Sequence, residues 1–342
     1  MKKTLALILA LSLSLALASC GNPNQPSNSG TTSTPAASTG TTSTTTPPAG
    51  GSGETVTLAT GGTSGTYYAY GGVMQTTLNP LLITGQLNVT STGASSANIL
   101  EVADGNAQMS ILQSDVLSYA HSGTDLFTEA ETSSQWVAGL YNETVQITAK
   151  GGITSVDQLK GKAVCVGDQG SGTEFNAYQV LEAYGMTADD IKVVHANFGE
   201  ASEMLKNGQI DAAFTVAGAP TTAITELATS GMDFSLVSLD QEHVDALHEK
   251  YPFLVQENLP AGTYEGVDTE TICVAVEAAL VASTDMSEDA VYELTKTMFE
   301  NLEELGTSHA KFQLVSAEKA AENGSVPMHP GAEKYYKEIG LL

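Results

Sequence analysis

Glu54-Thr55-Val56-Thr57-Leu58-Ala59-Thr60-Gly61-Gly62-Thr63-Ser64-Gly65-Thr66-Tyr67-Tyr68-Ala69-Tyr70-Gly71-Gly72 is the stretch on which the fold turns. Residues 54–60 alternate apolar and polar side chains, the period of a strand with one buried face. A glycine- and hydroxyl-rich turn follows, and apolar residues then recur as far as Leu82, as a helix requires. A strand running through a polar loop into a helix is the repeating unit of α/β domains with a mostly parallel sheet.

The same grammar continues downstream. Residues 87–92 read as a second strand, 98–103 as a helix ended by Asp104-Gly105, and 107–112 as a third strand running into Gln113-Ser114-Asp115 and a new helix. A second set starts near Gln146. Ser155-Val156-Asp157-Gln158 has the form of a capping box opening a short helix. Residues 162–166 are a strand, and Asp168-Gln169-Gly170-Ser171-Gly172-Thr173 opens a helix that stops at Gly185. Thr187-Ala188-Asp189-Asp190 resembles another helix start, residues 193–194 a strand, and residues 200–207 a helix closed by Asn207-Gly208. Residues 210–216 form a strand that ends in the loop TVAGAPT. Residues 272–282 are a long β-prone run, after which Ser287 caps a helix carrying Val291, Leu294, Met298, Leu302 and Leu305.

Two α/β units in series, followed by a long strand and helix, predict a two-lobed molecule. If the last part packs back on the first unit, the chain crosses twice between lobes, near residues 137–149 and 272–282. The predicted lobes are residues 54–142 with 272–342, and residues 143–271.

Three of the strand-to-helix turns share a composition: residues 60–67, Thr92-Gly93-Ala94-Ser95-Ser96, and Gly170-Ser171-Gly172-Thr173. The first N–H groups of a helix lack intrahelical partners and carry partial positive charge. Glycine lets a ligand approach that backbone, and Ser or Thr adds further donors, so such turns hold anionic groups without a cation. In open α/β sheets they lie at the carboxyl ends of the strands, where ligands bind. Any one of them can equally be a helix cap, and it is their threefold occurrence that points to a binding site. Asp115 or Ser114 can cap its own helix, or Asp115 or Gln113 can meet a polar group of a ligand such as an ammonium.

The first residues predict a compartment. Lys2 and Lys3 precede an apolar run from Leu5 to Ala18, too short to span a membrane, which closes with Leu17-Ala18-Ser19-Cys20-Gly21. This is similar to a bacterial lipobox, with residues 1–19 as signal peptide and Cys20 as the lipidated residue. Residues 21–53 contain no charged, aromatic or large aliphatic side chain and predict a flexible tether. The expected location is extracytoplasmic, either on the outer face of the cell membrane or periplasmic, with the lipid as the membrane contact.

The formal charge is −26, and −28 without Lys2 and Lys3. Such a chain repels nucleic acid and anionic lipid. It has no arginine, so a bound carboxylate must be held without a guanidinium fork. Cys165 and Cys273 lie in apolar strand-like runs and read as buried thiols. The six histidines are scattered, and His243 and His248 stand five apart, wrong for one helical face. There is no phosphate-loop lysine, since Gly161-Lys162 is followed by Ala163, and no nucleophile elbow. A binding protein is therefore expected, with no enzymatic activity, cofactor or metal, and as a monomer. A sensor domain for a signalling partner, or an enzyme on the same scaffold, are the rival classes.

TGGTSGTYYAYGG, the run NILEVADGNAQMSILQSDVLSYAHSGT, and LKGKAVCVGDQGSGTEFNAYQVLEAYGM together resemble the TAXI family of TRAP-transporter solute receptors, over residues 55–305. Ser64 departs from the glycine common in that family's first loop. The resemblance implies a type II periplasmic-binding-protein fold that closes on its ligand and is read by a TRAP-type membrane permease. It implies a small polar solute, a carboxylate or amino acid such as glutamate, glutamine or a dicarboxylate. Carried onto matching positions, it implies ligand contacts from Thr63, Ser64, Thr66, Tyr67, Thr92, Gln113 and Asp115 in the first lobe. From the second it implies Ser171, Gly172 and Thr173, with Thr215, Ala217 and Pro220 of the TVAGAPT loop.

Overall fold

The computed structural model describes residues 54–322 and 326–342. The predicted signal peptide, Cys20 and the tether lie outside the described residues.

β1 (Glu54–Ala59) leads into α1 (Thr66–Leu78), β2 (Gly85–Thr90) into α2 (Ser95–Ala103), and β3 (Met109–Gln113) directly into α3 (Ser114–Ser122). β4 (Ser134–Lys150) is a strand of 17 residues. After it come β5 (Ala163–Cys165), α4 (Gly172–Ala183), β6 (Lys192–Val194), α5 (Phe198–Lys206), β7 (Ala212–Ala217) and α6 (Thr222–Thr229). β8 (Phe234–Leu236), α7 (Gln241–Lys250) and β9 (Val255–Leu259) precede a second long strand, β10 (Thr271–Ser283). The chain ends in α8 (Glu288–Glu300), α9 (Leu302–Ser308), α10 (Ala317–Ala320) and α11 (Pro330–Glu338).

The strands form one mixed sheet in the order β2-β1-β3-β10-β4-β7-β5-β6, with β8 on β4 and β9 on β10. Each outer triplet, β2-β1-β3 and β7-β5-β6, is parallel. The two long strands in the middle are antiparallel to each other and to the triplet each one borders. Each triplet carries its own core. One core packs Tyr70, Met74 and Ile111 against Val137, Leu280 and Tyr336; the other packs Val145, Ile147, Phe214 and Val274 together. β4 and β10 thus serve both cores, the first with residues 137–141 and 278–282, the second with 145–149 and 274–276. This is the α/β, two-lobed type II architecture expected, with its two crossings on the long strands.

Where the elements depart from expectation, a polar side chain gives the reason. The run from Ser287 to Leu305 is not one helix, because Asn301 leaves helical geometry at φ −119° and its Nδ2 donates to the Thr297 carbonyl at 2.7 Å. α1 stops at Leu78, short of Leu82: the Asn79 side chain turns away to pair with both main-chain groups of Leu87, at 2.8 and 2.9 Å. Ser155 and Thr187 each start only a short 3-10 turn, over Val156–Leu159 and Ala188–Asp190. Cys165 and Cys273 are free, buried thiols in different apolar clusters.

Candidate functional site

The carboxyl ends of the two triplets face one another, and the loops leaving them enclose a pocket of about 480 Å³, part of it open to solvent. Three turns of the first triplet reach it. The Gly65 N–H donates to the Gly62 carbonyl at 2.9 Å, folding the first turn tightly over the start of α1. No side chain caps α1, so its first-turn N–H groups, beside Gly65, Thr66 and Tyr67 in the pocket wall, are left for another acceptor. In the second turn Ala94 adopts φ 67°, a left-handed conformation that costs a non-glycine residue, and it also lines the pocket. The third is the end of β3, where the Gln113 N–H donates to the Ser95 hydroxyl at 3.2 Å. Asn98 holds the set in register: its buried Nδ2 donates to the carbonyls of Thr60 (2.6 Å) and Ile111 (2.7 Å).

The second triplet supplies Asp168, Ser171–Thr173, Asn197, Phe198, Val216 and Ala217. Ser171 is the N-cap of α4, its hydroxyl accepting from the Glu174 N–H at 3.1 Å. Asn197 caps α5 in the same way at 3.0 Å. Glu143, from the middle of β4, forms part of the wall between the two sets of loops.

Hydrogen bonds cross the pocket. Thr66 Oγ1 donates to the Gly218 carbonyl at 3.0 Å, and Gln113 Nε2 donates to Asn176 Oδ1 at 2.9 Å. Ser96 donates to the Gly170 carbonyl, and Tyr67 to the Glu143 carboxylate. Two glycines leave room for this contact. A Cβ on Gly172 would coincide with the Gln113 amide oxygen, and one on Gly218 would sit 2.7 Å from Lys311 Cε and 3.2 Å from Thr66 Cγ2.

Burial sets the electrostatics. Glu143 is 2% exposed, and loss of solvation raises its pKa to about 8, against the lowering effect of the Tyr67 hydrogen bond. Burial also pushes the Tyr67 hydroxyl well up, with the Glu143 charge acting in the same direction. Asp115 rises to about 6 through burial, offset in part by hydrogen bonds from Asn176 and Val116. Half-buried Asp168 is raised by burial and then by the nearby Glu200 charge.

The structure brings together Thr66, Tyr67, Gln113, Ser171, Gly172, Thr173 and Ala217 of the predicted residues. The other six do not line this pocket. Thr63 is exposed, and Ser64 is half-buried beside Gly199. The Thr92 hydroxyl is used within the first triplet, on the Thr60 carbonyl at 2.8 Å and on Asn98. Asp115 lies behind the wall, tied to the Val116 N–H at 2.7 Å and Asn176 Nδ2 at 3.1 Å. Thr215 is buried in β7 opposite Gln146, and Pro220 is exposed. Among the described residues no His, Cys, Asp and Glu cluster suited to a metal is present, and no helix is long and apolar enough to cross a membrane.

Among the wall residues that sequence reasoning missed are Glu143, Asp168, Asn197, Phe198 and Val216. Glu143 had a signal, as the only acidic residue in the 17 residues of β4. Asn197-Phe198-Gly199-Glu200 had the capping-box form, which starts α5 two residues before the predicted Glu200.

Solved structures with a similar chain path include the periplasmic aliphatic sulphonate binding protein SsuA from Escherichia coli. It shows 12% identity over 84% of this chain and 84% of that one, with a TM-score of 0.43. The alkanesulfonate-binding protein SsuA from Xanthomonas axonopodis pv. citri, bound to MOPS, shows 12% identity over 83% of each chain and a TM-score of 0.47. A protein from Bordetella bronchiseptica RB50 shows 16% identity over 84% of this chain and 89% of that one, with a TM-score of 0.48. Nothing about a ligand follows from likeness of this degree. Residues 58–340 match the NMT1-like family, which takes in both long strands, every loop of the pocket and both triplets apart from residues 54–57 of β1. The chain belongs to the NMT1-like family.

Proposed function

We propose that the protein is an extracytoplasmic solute receptor of the TAXI type, which captures a small carboxylate or amino acid between its lobes and hands it to a TRAP-type membrane permease. The lobes in this reading are residues 54–142 with 272–342, and residues 143–271. The observation that carries it is a single pocket walled by helix-start loops from both triplets and bridged by Thr66–Gly218 and Gln113–Asn176 hydrogen bonds. A ligand seated there touches both lobes and so favours the state in which they meet. Bare first-turn N–H groups of α1, with the hydroxyl of Thr173, supply donors for a carboxylate in a chain without arginine.

The test is a thermal-shift screen of the purified protein against amino acids, dicarboxylates and oxo acids. A ligand at a hundred times its Kd should add about 2.7 kcal/mol to the unfolding free energy. A screen in which none of these classes raises the melting temperature would reject the reading. Anchoring through Cys20 is a separate part of the proposal. Cys20→Ala should move the protein from the membrane fraction to the soluble one, and unchanged fractionation would remove the anchor.

A further inference from the structure

The charge inventory of the pocket is one-sided. Its wall contains two carboxylates, Glu143 and Asp168, and no lysine, arginine or histidine side chain. Glu143 is 2% exposed, accepts a hydrogen bond from Tyr67, and has no salt-bridge partner among the described residues. The Oε1 of Gln113, buried in the same wall, also has no donor and packs against Gly172. The same wall holds the uncapped first turn of α1, which favours negative charge, and the start of α4, where the Ser171 hydroxyl and the Glu174 carboxylate already accept from main-chain N–H groups. The pocket therefore offers both a buried carboxylate and main-chain donors, the complement of a molecule that carries both charges.

We infer that the ligand presents a positively charged amino group to Glu143 and its carboxylate to the helix starts, so that the pocket selects amino acids over their oxo-acid and dicarboxylate counterparts. The inference rests on the receptor reading and narrows it. A carboxylate removed from water without a partner is costly, and an arriving ammonium provides the missing charge where no protein cation does. Lys311 does not fill that place. It is held over the Tyr141 ring, 5.8 Å from its centroid, and interacts with Glu257 as well as Glu143. Asp115, the acid that sequence reasoning would assign to an ammonium, is occupied behind the wall by Asn176 and Val116.

The groups facing Glu143 are Tyr67 of α1, Tyr141 of its own strand, Asp115 of α3, and Lys311 from the turn Ala310–Leu314. Without ligand, burial keeps Glu143 mostly protonated below about pH 8. An ammonium beside it favours the ionised form, so binding must release protons, and affinity must rise with pH toward that value.

The test pairs L-amino acids with the 2-oxo acids of the same skeleton, glutamate with 2-oxoglutarate among them, and adds succinate. Melting temperatures find the binders. Calorimetry of the best one in two pH 7 buffers of different ionisation heat counts protons. The amino member of a pair should bind at least tenfold tighter, with up to one proton released per site. Glu143→Gln should abolish the release and most of the discrimination. Oxo acids binding as tightly as amino acids, or proton uptake in place of release, would overturn the inference while leaving a solute receptor. No stabilisation by any compound would reject the receptor reading and this inference with it. The proton count on the unmodified protein decides the matter even if Glu143→Gln does not fold.

Discussion

Asp115 and Glu143 are both carboxylates sealed from solvent close to one pocket, yet they are held in opposite ways. Asp115 follows β3 at the start of α3 and has its hydrogen bonds made, one from Val116 and one from Asn176 across the interface. Glu143 lies in mid-strand, forms part of the pocket wall, and receives its hydrogen bond from Tyr67. The first acid is a brace between α3 and α4. The second is a site whose charge awaits a partner. Position relative to a loop, which made Asp115 the natural candidate, says less than whether a buried charge is already satisfied.

The pH dependence of stability separates the two most sharply. Each group has a folded pKa above its ordinary value, so in the window between the two values the folded chain keeps a proton that the unfolded chain has lost. Stability then falls as pH rises through that window. For Glu143 the window runs from 4.5 to about 8, and for Asp115 from 3.8 to about 6. Glu143→Gln should flatten the fall in urea-unfolding free energy between pH 5 and pH 8 by about 3–5 kcal/mol. Asp115→Asn should flatten the fall between pH 4 and pH 7 by a smaller amount, about 2–3 kcal/mol. Parallel profiles for either variant and the wild type would mean that the acid is not buried as described. Saturating ligand should suppress the Glu143 effect and leave that of Asp115.

Thr66→Val gives the smallest effect and serves as the control, since it touches neither acid. It removes the hydroxyl that donates to the Gly218 carbonyl, which should cost about 1 kcal/mol of stability and lower ligand affinity several-fold. Both pH windows should remain. A change in either window on this substitution would show that the hydrogen bond, and not burial, sets the carboxylate pKa values.

The alternation of strand, polar turn and helix was readable because it depends on local spacing: β1, β2, β3, β5 and β7 all lie within a few residues of where the pattern puts them. The loops that meet at the pocket were readable too, through the glycines and hydroxyls that a strand-to-helix turn needs. What could not be read was how each hydroxyl is used. Thr66 and Thr92 look alike in sequence, but Thr92 bonds to Thr60 in the same triplet while Thr66 reaches across to Gly218. Glu143 was hidden for a different reason. A lone glutamate in a strand normally faces water, and only the flanking of both faces of β4 by cores and strands makes this one buried.

The two long strands also set an order of assembly. The core built on β7, β5 and β6 draws on residues 145–276, a nearly unbroken length of chain. The core built on β2, β1 and β3 joins residues 56–141 to residues 278–336, and most of the molecule must be made before its two parts can meet. Closing so long a loop costs entropy and slows pairing. During synthesis from the N-terminus, the middle of this chain can therefore fold while its beginning still waits for its end.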